Sequence, residues 1–425
     1  MNDCLFGQAE VNITPPLGTW LVGYTERDHG CEAVHDPLYA KAWIFSDGRQ
    51  IAALLFLDTC IIDCLFTARV REQTAAATGI PPQHIHLSYT HSHSAPACVP
   101  GGIDAALLPQ PDPELEAIMA RHCSGVIAAA QRSLRKGRLG LGAGRLTGIC
   151  TNRRNPDGLM DPQVKVLRLE EADGRLAGAI VNYGCHPTVL HADNYLVSRD
   201  LPGFMCDAVQ AASGGKVQVA FGQGAGADTS TRWTRRGTTF DEAGRLGRML
   251  AGEALRVLEA TECSAALELR LATETVELPT RRLPSPEKAE HLLAEETARL
   301  EALRASGASY GAIRSAYVAQ QGAALTLERS RHPRPPTRKT EVAVIKLGDI
   351  PIAILPGETF AATGMVVKEG LGTNALVLGY ANDWLGYIIP PEEEAVGGYE
   401  VNSALLQSAA STLIQERAVA LGLSL

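Results

Sequence analysis

Apolar runs of strand length that each stop at a tight turn set the architecture of this chain. "KAWIFSDGRQIAALLFLDTCII" (41–62) is two such runs joined at Asp47-Gly48, a dipeptide that favours hairpins. The device returns in "VKVLRLEEADGRLAGAIVNYG", turning at Asp173-Gly174, and in "TEVAVIKLGDIPIAILPGE", turning at Gly348-Asp349. Between them the periodicity predicts helices over Cys64–Thr78, 112–135 and 240–260. An Ala/Glu/Leu/Arg-rich helical pair over 286–330 is broken near Gly307. Further strands are expected at His84–Tyr89, in "GKVQVAF" and in "NALVLGYAN", and "RHPRPPTRK" (331–339) reads as a stiff basic connector. Strands interleaved with helices define an α/β protein with mixed sheets flanked by helices.

Composition narrows the class. With 45% apolar and 20% charged residues over 425 positions, the chain is an ordinary globular protein rather than a disordered one. A net charge of −8 without a basic block argues against a nucleic-acid partner. No run of 18 apolar residues predicts a membrane span. The start lacks the basic and apolar regions of a signal peptide. Ten cysteines with no CxxC read as free thiols, so a cytoplasmic setting is expected, and a homo-oligomer is compatible with all of this.

The chemistry-capable residues stand just after strands. In "HLSYTHSHSAPAC", His91 and His93 would share one face if the strand continued through them, as side chains alternate with period two. His186 follows a strand in "NYGCHPTVL"; Glu358 follows a Pro-Gly turn in "AILPGETF", at the start of a helix; Tyr387 lies in "GYANDWLGYII". Alone, each has a structural explanation: a packed turn, a carboxylate complementing a helix dipole, a core aromatic. Together, imidazoles, a carboxylate and an open position match catalytic zinc. Arg153, Asp228, Ser230 and Tyr399 lie in turns of similar character. The "GQGAGAD" loop lacks the Lys-Ser/Thr of a phosphate-binding loop.

The order of these segments resembles the neutral/alkaline non-lysosomal ceramidase family. "GQAEVNITPPLG", "THSHSAP", "CHPT" with "VSRDLPGF", "GADTSTR", "LPGETF" and "GYANDWLGYIIPPEEEAVGGYE" are similar to successive family blocks. "GADTSTR" departs from the family's Gly-Asp and from its following Pro-Asn. The resemblance implies a single catalytic-domain-like unit over 1–425, a helical insertion at about 284–332, and no C-terminal immunoglobulin-like domain. It also implies one zinc ion held by His91, His186, Glu358 and Tyr387, with His93 as a proton-handling group beside the metal. Arg153 and Tyr399 would contact the scissile amide or its oxyanion; Ser230, with Asp228 as its neighbour, matches a serine proposed to matter for catalysis.

The expected activity is zinc-dependent hydrolysis of a small, soluble N-acyl amide. Cleavage of ceramide or another lipid amide, and lactam formation or opening at the same site, are the alternatives. A metal-free binding protein and a phosphate-ester hydrolase built on the glycine loop are the readings from other classes.

Overall fold

The computed structural model describes residues 2–103, 108–332 and 335–425. Eight strands form the larger sheet: β1 (Leu5–Asn12), β2 (Tyr39–Ser46), β3 (Ile51–Leu57), β4 (Ile85–Tyr89), β5 (Arg135–Arg145), β6 (Gln163–Glu171), β7 (Leu176–Tyr183) and β8 (Gln218–Gln223). Their spatial order is β8-β7-β6-β5-β1-β2-β3-β4. The outermost pairs, β7 with β8 and β3 with β4, are parallel, and the pairings between them are antiparallel. The hairpins expected at Asp47-Gly48 and Asp173-Gly174 are the β2–β3 and β6–β7 turns, with Gly48 and Gly174 at positive φ.

Alternation along each strand decides what its two faces bury. Along β2, Ala42 and Ile44 pack with helices α1 (Cys64–Thr78) and α2 (Pro113–Arg132), whereas Trp43 and Phe45 face the other way. Helices α3 (Asp200–Ala212) and α4 (Phe240–Ala260) cover the β6–β8 end through Val164, Val166, Val181 and Phe221. Side-chain caps start α1, α2 and α4: Asp63, Asp112 and Thr239 accept from the backbone N–H three residues on.

A second sheet, β9 (Leu269–Pro279), β10 (Thr337–Leu347), β11 (Ile350–Ile354) and β12 (Leu376–Leu378), stacks on the Trp43 and Phe45 face of the first. Helices α7 (Ala361–Leu371) and α8 (Ala409–Ser424) cover its far side through Val367, Ile414 and Ala418. The molecule is therefore a four-layer stack, helix–sheet–sheet–helix, in agreement with the expected α/β class.

The helical pair is α5 (Pro286–Ala305) and α6 (Tyr310–Ser330). It leaves and rejoins the second sheet where Pro279 pairs with Thr337 at one end of the β9–β10 ladder. The expected connector at 331–339 is corrected in part: Thr337–Lys339 already belong to β10, held by the ladder to β9, while 333 and 334 lie outside the described residues. The helix expected to 135 stops at Arg132, because β5 begins at Arg135.

Close packing between the sheets depends on Gly178 in β7. A methyl group there would stand 2.1 Å from the Trp43 ring, which is fully buried. Gly178→Ala is therefore expected to cost about 1–3 kcal/mol through overpacking, read as a lower urea midpoint with an unchanged m-value.

Candidate metal centre and its pocket

Three loops that leave the ends of strands converge at the centre of the molecule. His91 lies two residues beyond the end of β4, so strand alternation does not place it, which corrects the expectation of a continued strand. Its backbone takes φ 65°, an uncommon conformation for a residue with a Cβ, and its N–H donates to the Thr59 carbonyl. His91 and His93 nevertheless meet, with ring centroids 4.8 Å apart. Tyr380 and Asn382, in the loop after β12, also adopt positive φ. Unusual backbone thus gathers around this one place. His186 follows β7, as expected. Glu358 does not start a helix: it sits in a two-residue strand paired in parallel with Tyr387, and α7 begins only at Ala361.

His91, His186 and Glu358 are 3%, 0% and 4% exposed. Glu358 Oε2 stands 3.5 Å from His91 Nε2 and 3.4 Å from His186 Nε2. Tetrahedral ligands about 2.0–2.1 Å from an ion stand about 3.3–3.4 Å apart, so these spacings suit a single zinc-sized cation. His91 Nδ1 is 2.7 Å from the Cys60 carbonyl and His186 Nδ1 is 2.9 Å from the Gly226 carbonyl. A carbonyl can only accept, so both Nδ1 atoms carry the proton and both Nε2 atoms present lone pairs inward. Glu358 Oε2 and His186 Nε2 are buried without a hydrogen bond. Unpartnered buried acceptors aimed at one point are what a cation would satisfy.

The electrostatics agree. Burial lowers the pKa of His91, and it lowers that of His186 to about 4 with help from Arg153, so both imidazoles are neutral at pH 7. Burial would raise Glu358, but the two imidazoles and Arg153 outweigh it and hold the group at about 2. Neutral imidazoles with an ionised carboxylate are the ligand-competent forms. Trp384 Nε1 donates to Glu358 Oε1 at 3.1 Å, which leaves Oε2 free. A second grouping at ligand spacing, Cys60 with His91 and His93, is a poorer donor set. Burial, then the Glu358 carboxylate, pushes the Cys60 thiol well up, and its sulfur faces the committed Nδ1 of His91.

His93 Nε2 lies 3.2 Å from His91 Nε2, while its Nδ1 is buried and unpartnered. Burial, followed by the two neighbouring histidines, holds His93 well below the usual range. Arg153 reaches in from the opposite wall, its Nη2 donating to the Tyr387 hydroxyl at 2.9 Å and its Nε bonded to Glu400 at 2.7 Å. Tyr399 stacks edge-on against Tyr387. Ser230 lines the pocket; Asp228 does not, because its carboxylate accepts from Asn152 Nδ2 and from the Ala361 N–H and so fastens the loop. Burial raises Asp228 to about 6. Glu400, Trp384 and the Cys60 and Gly226 carbonyls escaped the sequence reading; a carbonyl leaves no mark in side-chain patterns.

Above the centre opens a pocket walled by the 23–26 loop, the 230–235 turn and α6. A deeper recess joins it, lined by His91, Glu358, Trp384 and Tyr387. Helix α6 lies across the short helix Tyr399–Ser403, with Thr326 Oγ1 donating to the Asn402 carbonyl and Arg329 Nη1 to that of Ser403.

The whole fold has solved counterparts. The neutral ceramidase of Pseudomonas aeruginosa superposes with a TM-score of 0.80 at 20% identity, over 100% of this chain and 74% of that one. A structure described as ceramidase complexed with C2 gives 0.79 at 19% identity, over 100% and 75%. In sequence, the model of the neutral/alkaline non-lysosomal ceramidase N-terminal region matches residues 5–231, and the chain belongs to that family. The curated neutral ceramidase of P. aeruginosa is 26% identical over 224 residues, 47% of this chain and 32% of that protein. Neutral ceramidase A of Dictyostelium discoideum is 27% identical over 225 residues, 47% of this chain and 30% of that protein. These matches span about a third of the length of either curated relative. Among the described residues no helix is long and apolar enough to cross a membrane.

Two expectations follow from the geometry. A Cβ on Gly226 would stand 2.7 Å from the Cys185 nitrogen, so Gly226→Ala must shift the carbonyl that orients His186. Divalent-metal affinity, measured by competition with a chelating dye, should fall about 10- to 100-fold. His191, on the pocket wall, is held down at about 3 by burial and then by Arg314, Arg235 and Arg232. Its folded pKa lies below the ordinary value, so the unfolded chain takes up the proton first as pH falls. Wild-type stability should therefore decline relative to His191→Gln between pH 7 and pH 4, read from urea midpoints.

Proposed function

We propose that the chain is a zinc-dependent amidohydrolase that cleaves a small, soluble N-acyl amide. The observation that carries this is the convergence of His91 Nε2, His186 Nε2 and Glu358 Oε2 on one buried point at the floor of a pocket. Tyr387 is the fourth ligand in this reading, and the names of the family relatives supply the amide class. Zinc bound there supplies a Lewis acid that polarises a carbonyl and acidifies water from about 16 towards about 7.

The chain's own groups do the rest. The Arg153 guanidinium, locked by Glu400 and touching the Tyr387 hydroxyl, presents fixed positive charge where an amide oxygen would become an oxyanion. Tyr399 supplies a second hydroxyl on that wall. His93, whose Nε2 lies 3.2 Å from His91 Nε2, is the group placed to take a proton from the attacking water and return it to the departing amine. That return matters because an amine leaves poorly unless protonated. Ser230 stands on the wall of the same pocket as a substrate-positioning hydroxyl, and Asp228 keeps its turn in place.

The purified protein should hold about one zinc per chain, and chelation should abolish amide cleavage. His91→Ala is expected to lose metal and activity together. His93→Ala should keep the metal and lose about 10²- to 10⁴-fold in turnover. Equal metal loss in both variants, by elemental analysis, would put His93 in the ligand set instead. A panel of N-acyl amides of rising chain length separates this reading from a lipid-amide one: rates that climb with long acyl chains would favour a ceramide-like substrate.

A further inference from the structure

The pocket above the metal centre carries a charge pattern that amide cleavage does not require. Four arginines line it: Arg153, Arg232, Arg235 and Arg314. Two are matched, Arg153 by Glu400 at 2.7 Å and Arg314 by Glu26 at 2.6 Å. Arg232 and Arg235 have no carboxylate within 4.0 Å among the described residues. Arg232 makes one long hydrogen bond, 3.4 Å, to the Arg153 carbonyl, and Arg235 donates to the Thr188 carbonyl. Both are only partly exposed. A half-buried guanidinium without a counter-charge gives up hydration and gets little back, which is a costly state unless a ligand completes it.

The surroundings report the same excess. Burial and then Arg153 lower Arg232 to about 10, and His191 on the same wall is depressed by burial and three of the pocket's neighbouring arginines. Glu26 is the one carboxylate on the described lining, and Arg314 already occupies it. Opposite, Val318 and Leu325 of α6 offer an apolar surface. Two planar forks without a paired carboxylate, in one cavity with an apolar surface, His93 and Tyr387, match a molecule with an apolar part and a carboxylate.

We propose that the substrate amide carries a carboxylate, which Arg232 and Arg235 receive while the apolar part lies against α6. The inference rests on the amidohydrolase reading and names its substrate class: an N-acyl amino acid, or the monoamide of a dicarboxylic acid. A fork-to-carboxylate contact at each arginine is worth about 1.5–3 kcal/mol net, about 10- to 100-fold in kcat/KM.

The test compares N-hexanoylglycine, with its carboxylate on the amine half, and N-butylsuccinamate, with it on the acyl half. Each is set against an uncharged amide of matched length, using the zinc-loaded full chain. Expected is a preference of about tenfold or more for one charged amide. In the Arg232→Met/Arg235→Met variant that ratio should collapse towards one, whereas Arg232→Lys/Arg235→Lys should retain a clear part of it. Calorimetry of the same ligands with the chelator-treated protein reads the arginine contacts without turnover. Arginine-dependent binding of a charged amide with no cleavage of any amide would defeat the amidohydrolase reading and leave the carboxylate site standing. A preference for the uncharged amides, a charged preference that survives in the methionine pair, or tighter binding of inorganic phosphate than of either carboxylate would overturn the inference.

Discussion

A carboxylate taken wholly out of water must be answered on all sides, and in this protein that carboxylate is Glu358. Its neighbours are two imidazoles whose tautomers are set by backbone carbonyls, an indole N–H on the other oxygen, and the field of Arg153. None of the four side chains comes from the stretch that carries Glu358; even the indole, Trp384, lies beyond α7 and β12. His91 leaves the larger sheet at β4, His186 leaves it at β7, and Glu358 follows β11 of the smaller sheet. The centre exists only because the two sheets stack in one register. The seam is stitched at the site itself: Tyr89 N–H donates to the Tyr380 carbonyl, Asn382 N–H to that of Leu87, and Ser88 bridges Ala381.

The scaffold was more legible in the sequence than the centre. Asp47-Gly48, Asp173-Gly174 and Gly348-Asp349 each marked a real hairpin, because a residue at positive φ between apolar runs has few other uses. The helical pair broke near Gly307, which takes φ 64° between α5 and α6. Strand alternation failed at His91, since tertiary hydrogen bonds hold that residue in a left-handed conformation that the pattern of neighbours cannot announce. The helix start expected at Glu358 failed as well: the Pro-Gly turn leads to a two-residue strand, and the helix begins only at Ala361. Residues 337–339 read as basic connector because their strand partner, Glu277 to Pro279, lies some sixty positions away along the chain.

The residues that orient the site were harder still. The Cys60 and Gly226 carbonyls act through the backbone, so any residue type with the right fold could supply them. Glu400 was hidden in an acidic stretch in which Glu392 and Glu394 are exposed and Glu393 pairs with Arg154, yet it is the residue that fixes Arg153. Arg232 and Arg235 looked like ordinary turn residues; only the closure of α6 over the same cavity gives them a common address.

That closure has a consequence for how the molecule can change. The 280–336 excursion begins and ends at neighbouring points, where Pro279 pairs with Thr337, and α5 buries few of its own side chains. The ladder between β9 and β10 does not depend on what the excursion contains. The metal-facing groups His91, His186 and Glu358 thus lie on segments locked into the stacked sheets, while α6, which shapes the mouth, hangs from a closed stem. A lineage can exchange one without unpicking the other, so selectivity is free to wander while the reactive floor stays fixed.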